Sequence, residues 1–419
     1  MILKLATRNL LQKPLTTLLS WVLLTVSVGI ISMLLLLQEQ FEKQLTGNIH
    51  DVDMVIGAKG SPLQLILSAI YHIDAPTGNI TYAEAEKWIH HPYVEKAIPL
   101  AYGDSYKGYS IVGTTEDYLE KYGAKIQSGK LYEKDFEVVA GHSLAKKLHL
   151  QTGSRFYSTH GVDGHGAVHK DHAYTITGIL QPSGTVADNL LIGNIESVWK
   201  IHEHHHHDEE DAEGHHEHKA TENAAHDEAY HDDDDHPDKE LTAVLLKFRN
   251  PMGNVQLPRI INAQTNMMAA VPAIEINRLF SLMGMGIDTL QYVGWGIMGL
   301  SALSIFISLF NSLKERKYEL ALMRTMGAGR ADLIKLLVWE SMVLCIAGFI
   351  AGIFLSRLVL WALSGSLESS YHLDIQPWVL KIPGDMQLLT LTLLLGMLAA
   401  GVPAIKAWFI NISKTLAHE

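Results

Sequence analysis

The sequence predicts an α-helical membrane protein with four transmembrane helices and a large mixed α/β extracytoplasmic domain inserted between helices 1 and 2. Three observations support this fold class: four long apolar runs, Lys and Arg clustered beside those runs, and acidic residues concentrated in one insert. The 419 residues are 47% hydrophobic and only 19% charged, which is more apolar than a soluble domain of this length requires.

One segment accounts for the acidity of the chain, whose formal net charge is −12. Residues 202–240 hold 16 Asp or Glu and 2 Lys, so the rest of the chain has a formal charge of only +2. This insert lacks the apolar side chains that offset ordering entropy, and we expect it to be disordered alone. The single cysteine, Cys345, excludes an intrachain disulfide framework. No basic, aromatic cluster suggests a nucleic-acid partner.

The first apolar run, residues 15–37, contains 23 residues without a charge, enough to cross a hydrocarbon core of about 30 Å. A signal peptide is the alternative interpretation. The run is too long for a signal-peptide core, and no small-residue cleavage site follows Leu37. We therefore expect a cytoplasmic segment at 1–14 and an uncleaved transmembrane helix at 15–37.

Three further transmembrane helices are predicted at 287–313, 334–363 and 386–405. The second run is rich in Gly, Ser and Ala, and the third contains the small-xxx-small pair Gly348 and Gly352. Small residues let helices approach closely in lipid. One buried helix of a soluble protein reaches such a length, but four in one chain favour a membrane bundle.

The distribution of Lys and Arg predicts the orientation of the chain, because cytoplasmic loops carry an excess of both. The basic residues beside the runs are Lys4, Arg8, Lys13, Lys314, Arg316, Lys317, Arg324, Arg330, Lys335, Lys406 and Lys414. All of these residues lie on the same side of the membrane if each of the four apolar runs crosses it. Segments 1–14, 314–333 and 406–419 are then cytoplasmic, while the domain 38–286 and the loop 364–385 lie outside.

The outer domain has mixed helix and strand signals. A helix is predicted at 83–90, with Thr81 as N-cap and Glu84 at the capping-box spacing. A second short helix is predicted at 143–148. Strands are predicted at 110–113, 136–141, 173–180 and 241–248, from β-branched residues and bounding glycines. Residues 51–62 are open to two interpretations, an amphipathic piece near the membrane surface, which is favoured, or a substrate-facing lip.

Eleven of the 23 histidines lie between His202 and His236, interleaved with Asp and Glu. The densest of them are His202, His204, His205, His206, His207, His215, His216 and His218. Imidazole and carboxylate are good ligands for zinc, nickel and copper, and negative charge concentrates divalent cations. The tract is interpreted as a flexible metal-capturing or metal-sensing loop, with zinc as the favoured ion, or alternatively as a solvated linker.

A second histidine group consists of His160, His165, His169 and His172, together with Asp163 and Asp171. It falls between two predicted strands, so it is expected to form a loop at one end of the domain. Zn²⁺ or another divalent metal is the ligand that these residue types favour. A polar hairpin tip without a metal is the alternative.

Residues 314–328 follow the second run and form an amphipathic pattern. Leu320, Met323 and Met326 recur at i, i+3 and i+6, and Gly327 is placed as a helix C-cap. An interfacial helix with snorkelling basic residues is one interpretation of this segment alone.

The order of these elements resembles the FtsX/MacB-like permease subunits of ABC transporters, which include the lipoprotein-release permeases. Residues 314–328 look like the family's E-R-x-x-E-I-x-x-L-R-x-L-G-A signature. Weaker likenesses occur at 92–99, 112–118, 129–130, 139–148, 153–156 and 177–180. The ending 402–416 is also similar, although Ile412 and Ser413 stand near where the family has proline.

The resemblance implies that residues 314–333 contact a cytoplasmic ABC ATPase, with Glu315, Arg316, Glu319, Arg324 and Gly327 as the coupling residues. No G-x-x-x-x-G-K-[ST] loop occurs in the sequence, so the chain is not expected to be an enzyme. It departs in this from the macrolide exporters, which fuse the ATPase to the permease. ATP would act only through a separate partner subunit.

The function expected is therefore that of a permease subunit, which exports or releases a substrate on the outer side of the bacterial inner membrane. Both termini would be cytoplasmic. Four helices make too small a bundle to enclose a path for a substrate. The expected partners are therefore a second copy of the chain, in a homodimer, and the surrounding lipid. A periplasmic or outer-membrane partner is a further expectation. The alternative is a membrane-anchored metal sensor without transport, which the histidine tract motivates.

Overall fold

The structure is a computed structural model that describes residues 6–10, 14–161, 168–201, 239–371, 376–379 and 382–409. Its helices are α1 (6–10), α2 (Pro14–Ile49), α3 (Pro62–Ala69), α4 (Tyr82–Ile89), α5 (Glu116–Lys121), α6 (His142–Leu148), α7 (195–201), α8 (Met252–Gln264), α9 (Pro272–Glu315), α10 (Lys317–Thr325), α11 (Arg330–Tyr371) and α12 (Ile382–Trp408).

Within the described ranges, the strands all lie between α2 and α9 in the chain. They are β1 (Met54–Ala58), β2 (Ile80–Thr81), β3 (Val94–Tyr106), β4 (Tyr109–Thr114), β5 (Ile126–Gly129), β6 (Glu137–Ala140), β7 (Arg155–His160), β8 (Val168–Leu180), β9 (Leu191–Asn194), β10 (Glu240–Leu241), β11 (Ala243–Phe248) and β12 (Met267–Ala270). A 3₁₀ turn covers Val186–Asn189.

The chain divides into two compact units. One comprises residues 1–43 and 280–419, and the other comprises residues 44–279. Among the described residues, four helices are long and apolar enough to cross a membrane, with their spans in Pro14–Ile49, Pro272–Glu315, Arg330–Ser364 and Gly384–Trp408. The predicted fold class is confirmed: a membrane protein with four transmembrane helices and a mixed α/β domain between the first and second.

Close packing of α2 against α11 depends on glycine, as the small-xxx-small pair predicts. A Cβ atom on Gly352 would lie 2.7 Å from Val28 Cβ and 2.9 Å from the Thr25 carbonyl oxygen. A Cβ on Gly348 would lie 2.7 Å from the Leu24 side chain. Lipid supplies no hydrophobic drive between helices, so close approach and dispersion must hold them together.

The contact of α11 with α12 also uses a small residue. The Ser341 hydroxyl donates a hydrogen bond of 2.7 Å to the Gly396 carbonyl oxygen. A Cβ on Gly396 would lie 2.4 Å from the Cys345 sulfur, which is buried. The lone cysteine therefore fills space between two helices of the bundle.

The outer domain is built on a ten-stranded mixed sheet, in the order β12-β1-β11-β3-β4-β9-β6-β8-β5, with β7 pairing both β3 and β8. The first half of β3 pairs with β11, and its second half pairs with β4 and β7. A two-residue turn joins β3 to β4, with positive φ at both Lys107 and Gly108, as type I′ hairpins require. Strand β3 therefore connects the two halves of the sheet.

Most of the local predictions in the outer domain correspond to observed elements. The Thr81 hydroxyl caps α4 by accepting a hydrogen bond from the Glu84 backbone N–H at 3.3 Å. Strands occur around 110–113, 136–141 and 173–180, and a helix occurs at 142–148. The predicted strand 241–248 is divided into β10 and β11.

The favoured interpretation of residues 51–62 is wrong. Met54–Ala58 form β1, which lies between β11 and β12 with Met54, Val55 and Ile56 buried. A strand covered on both faces reads as a continuous apolar run, so its sequence lacks the alternation that identifies a strand. The following Pro62–Ala69 forms α3.

His72 lies in a buried aromatic cluster of the outer domain. Its Nε2 atom is 3.0 Å from the Tyr118 hydroxyl, and its ring meets Tyr102 edge-on at a centroid distance of 5.1 Å. Burial first, and the positive charge of Lys121 second, lower the pKa of His72 to about 3. The imidazole is therefore neutral in the folded protein at any physiological pH.

We predict that His72 makes the outer domain sensitive to acid. Below pH about 6.5 the unfolded chain binds a proton at this histidine, whereas the folded chain does not until pH about 3. The free energy of unfolding should fall by up to ~1.4 kcal/mol per pH unit in this window. His72→Gln, which keeps a polar neighbour for Tyr118, should reduce the loss of thermal stability between pH 7 and 5.

The measurement is the thermal unfolding midpoint of the detergent-purified chain, followed by tryptophan fluorescence. His90→Gln, at an exposed position, is the matched control and should keep the wild-type pH dependence. Equal acid sensitivity in His72→Gln and wild type would contradict the prediction.

Candidate functional sites

The segment after the second membrane helix forms a separate short helix. Helix α9 ends at Glu315, and Arg316 leaves helical geometry with φ −99° and ψ 14° before α10 begins at Lys317. Gly327 has φ +103°, a conformation that side chains other than glycine rarely adopt, and it ends the segment as its sequence predicts. The chain then enters α11 at Arg330.

Arg316 joins this segment to the membrane helices. Its Nε atom donates a 2.8 Å hydrogen bond to Glu319, and its Nη1 atom lies 3.9 Å from Glu340 Oε1 in α11. Glu340 is buried and also accepts a short hydrogen bond from the Asn9 side-chain amide in α1. A single carboxylate therefore contacts both the segment before the first span and the segment after the second.

Helix α10 has a buried and an exposed apolar face. Leu320 of the predicted apolar face is buried, and so is its neighbour Ala321, and together they define the inner face. Met326, expected on that same face, is instead 74% exposed. Tyr318, Leu322 and Met326, at i, i+4 and i+8, form an exposed apolar stripe. Met326 is six residues after Leu320, so helix geometry turns it by about 120° away from the inner face. Its backbone N–H still donates to the Leu322 carbonyl oxygen, which keeps it on the same side as Leu322.

The other predicted coupling residues lie around this stripe. Glu315 and Glu319 are exposed, and Arg324 is half-buried. Arg316 is less exposed than the prediction of an ATPase contact suggests, because it faces Glu340. Sequence reasoning did not identify Glu340 or Asn9 as partners of the segment, since each is distant in the chain.

In the outer domain, Asp104, His160 and His169 lie together. The Asp104 Oδ1 atom is 3.4 Å from His169 Nε2 and 3.5 Å from His160 Nδ1. The ligand atoms of the three side chains all lie within 4.8 Å of one another. Asp104 and His169 are buried, whereas the His160 side chain is 61% exposed. We call these residues the Asp104 cluster.

Three adjacent strands position the Asp104 cluster. Asp104 on β3 is the direct cross-strand partner of His160 on β7, and β7 pairs with β8, which carries His169. The Ser158 hydroxyl donates a 3.1 Å hydrogen bond to Asp104 Oδ2 and orients the carboxylate. Residues paired directly across antiparallel strands present their side chains on the same face.

The cluster also affects a neighbouring tyrosine. Burial, and next the negative charge of Asp104, raise the pKa of Tyr174 well above its usual range. This phenol on β8 is therefore neutral.

Of the predicted metal residues, the structure brings two together. His160 and His169 belong to the Asp104 cluster, whereas the His172 ring stacks on Phe136 at a centroid distance of 4.5 Å. His165 and the tract His202, His204–His207, His215, His216 and His218 lie outside the described residues. Asp104 is 56 residues before His160, so only the pairing of β3 with β7 could have identified it.

Two family profiles match the sequence. Residues 17–211 match the MacB-like periplasmic core domain, and residues 293–412 match the FtsX-like permease C-terminal domain. Together they cover about three quarters of the chain. The profiles, with the four membrane helices and the domain between the first two, identify a protein of the permease class. The chain belongs to the FtsX/MacB-like ABC transporter permease family, as the motifs predict.

Solved structures with similarity to the chain include two domains of transporters. The periplasmic region of MacB from Actinobacillus actinomycetemcomitans is 11% identical, with a TM-score of 0.32, covering 56% of this chain and 97% of that chain. The extracellular domain of the noncanonic ABC-type transporter YknZ from Gram-positive bacteria is 9% identical, with a TM-score of 0.29, covering 52% and 98%. Among curated proteins, none matches the sequence significantly.

We predict that Glu340 holds the segment around α10 in place. Glu340→Leu removes the acceptor of Asn9 and the partner of Arg316, so trypsin should cleave the purified chain at Arg316 and Lys317 several-fold faster. Glu340→Gln keeps an acceptor for Asn9 but loses the charge, and an intermediate rate is expected. Cleavage rates are measured by mass spectrometry, and unchanged rates in Glu340→Leu would contradict the role.

Proposed function

We propose that this chain is the transmembrane subunit of an ABC transporter whose ATPase is a separate cytoplasmic chain, as members of this family normally work with such a partner. The ATPase docks on α10 and its flanking residues. ATP-driven movement passes through the membrane helices to the outer domain, which exports or releases a substrate on the outer side. The observation that supports this best is the exposed stripe of Tyr318, Leu322 and Met326 on a helix anchored at Arg316.

The geometry of α10 suits a transmitting element. Only Arg316 interrupts the helix between α9 and α10, so a displacement of α10 reaches α9 within one residue. The Arg316–Glu340 contact carries the same displacement to α11, and Asn9 extends it to α1. Leu320 and Ala321, buried on the inner face of α10, resist independent rotation of the helix.

Exposed apolar residues have a cost in water, so the stripe needs a partner. A patch rimmed by Glu315 and Glu319 is typical of a protein contact, because polar residues surround the apolar core of an interface. An interfacial position against lipid headgroups is the competing explanation. If the stripe contacts the ATPase, a charge placed on it should release the ATPase. If it contacts lipid headgroups, the ATPase should stay bound.

The proposed orientation of the chain rests on the positions of its basic residues, and the proposed dimer rests on the small size of a four-helix bundle. Both termini and residues 314–333 are cytoplasmic in this proposal, because the basic residues collect beside them. Two copies of the chain work together, because four spanning helices enclose too little volume for a substrate path. A membrane-anchored metal sensor without transport is the second candidate function, and the Asp104 cluster favours it.

We predict that charge on the stripe breaks the ATPase contact. Leu322→Glu and Met326→Glu each place a carboxylate in the apolar centre of the interface, where its desolvation is costly. Co-purification of the ATPase with the permease should fall at least tenfold, and so should ATPase stimulation in proteoliposomes. Ala331→Glu, at an exposed position in the first turn of α11, adds the same charge outside the stripe and should keep the complex.

Membrane expression and the trypsin pattern of the outer domain serve as folding controls. Retention of the ATPase by both stripe variants would reject α10 as the docking element and favour the lipid-facing interpretation. Equal loss in Ala331→Glu would show that added negative charge alone weakens the complex.

A further inference from the structure

We infer that the outer domain holds one zinc-class divalent metal ion between β3, β7 and β8, with Asp104, His160 and His169 as its protein ligands. The inference concerns the outer domain alone and does not depend on ATPase coupling. It differs from the metal prediction made from sequence, because one ligand is a carboxylate on a distant strand and His172 is not a ligand.

The distances between the ligand atoms fit a tetrahedral ion. Zinc holds imidazole nitrogen and carboxylate oxygen at about 2.0–2.1 Å, so two such ligands at a tetrahedral angle lie roughly 3.3 Å apart. The two separations from Asp104 Oδ1 are 3.4 and 3.5 Å. Both exceed the usual 2.7–3.2 Å range for an N–H···O hydrogen bond. Asp104 therefore has the spacing of a neighbouring ligand to each histidine, and the two imidazole nitrogens lie within 4.8 Å of one another.

The strands that carry the Asp104 cluster contain breaks in their pairing register, as strands beside functional sites often do. The pairing of β3 with β4 shifts register between Tyr102 and Ser105, and that of β7 with β8 shifts between Tyr157 and Thr159. Bulges re-aim side chains and are over-represented beside functional sites. The Gly161 N–H donates to the Gly103 carbonyl oxygen at 2.8 Å and fixes the end of β7 beside β3.

The Ser158–Asp104 hydrogen bond supplies the support that metal ligands usually have. A ligating carboxylate is commonly hydrogen-bonded through its other oxygen, which orients the ligating one. Here Ser158 contacts Oδ2, and both histidines face Oδ1. Because Ser158 holds Oδ2, the other carboxylate oxygen, Oδ1, is directed at the two imidazoles.

The ligand types select the metal. Two imidazoles and one carboxylate suit zinc and its neighbours, whereas calcium and magnesium prefer all-oxygen sites. Three protein ligands leave a fourth tetrahedral position, which water or a donor from a bound molecule fills in zinc sites of this kind. His160 is the exposed ligand, so the open position faces its side of the cluster. The site can thus exchange its ion with the surroundings.

Cobalt(II) substitution tests the site in the full chain, because tetrahedral cobalt absorbs visible light far more strongly than hydrated cobalt. One equivalent of Co²⁺ added to the purified, metal-free protein should give a tetrahedral spectrum that one equivalent of Zn²⁺ removes. His160→Ala, which changes an exposed residue and should fold normally, is expected to lose this spectrum and to bind zinc at least about 100-fold more weakly. Asp104→Asn should behave likewise.

Two controls separate the cluster from other histidines. His90→Ala changes an exposed histidine elsewhere in the domain and should keep the wild-type spectrum. Replacing His204, His205, His206 and His207 together by Ala should also keep it. Zinc should raise the thermal unfolding midpoint of the wild type but not that of His160→Ala.

A spectrum retained in His160→Ala and Asp104→Asn would overturn the inference. So would a spectrum lost in the four-histidine variant, which would assign the metal to the tract. Absence of any tetrahedral spectrum in the wild type would equally reject the site.

Discussion

Lipid imposes the constraint on which the membrane unit depends. No water is available there for backbone polar groups, so each crossing segment must satisfy them within a helix. Association of the helices then relies on contact rather than on hydrophobic burial. Gly348 and Gly352 meet this requirement by letting α11 approach α2 until backbone and side chain touch. Any larger residue at Gly352 would meet the Val28 side chain and the Thr25 carbonyl oxygen, so the helix pair tolerates little change there.

Polar groups in this unit have a different role, because their desolvation is costly unless they are paired. Glu340 is buried yet contacts Arg316 and Asn9, which come from two other parts of the chain. Arg357 and Asp385 make a second pair, at 3.2 Å, between α11 and α12. Such pairs specify which helix faces meet rather than adding much stability. They also explain why two charges occur inside the third apolar run.

Sequence reasoning predicted what depends on local pattern and missed what depends on strand pairing. The four spans follow from length and apolarity, and the Thr81 cap follows from a capping-box spacing. Strand β1 was missed because burial on both faces removes the alternation that marks a strand. His160 and His169 were recognised from their density, whereas Asp104 stands alone in its segment and becomes a neighbour only through β3–β7 pairing. Met326 was assigned to the wrong face because a spacing of six residues turns a side chain by about 120° away from the first residue's face.

The pairing of β1 with β12 has a mechanical consequence. Val55 is opposite Ala270 and Ala58 is opposite Met267, so the chain enters β1 from α2 and leaves β12 toward α9 at the same end of one antiparallel ladder. The β12 connection is held through the hydrogen bonds to β1, and the β1 connection is held through those bonds and through the pairing with β11. Because both connections leave from that one end, a force along either would load the same first hydrogen bonds of the β1–β12 ladder before it reached the rest of the sheet.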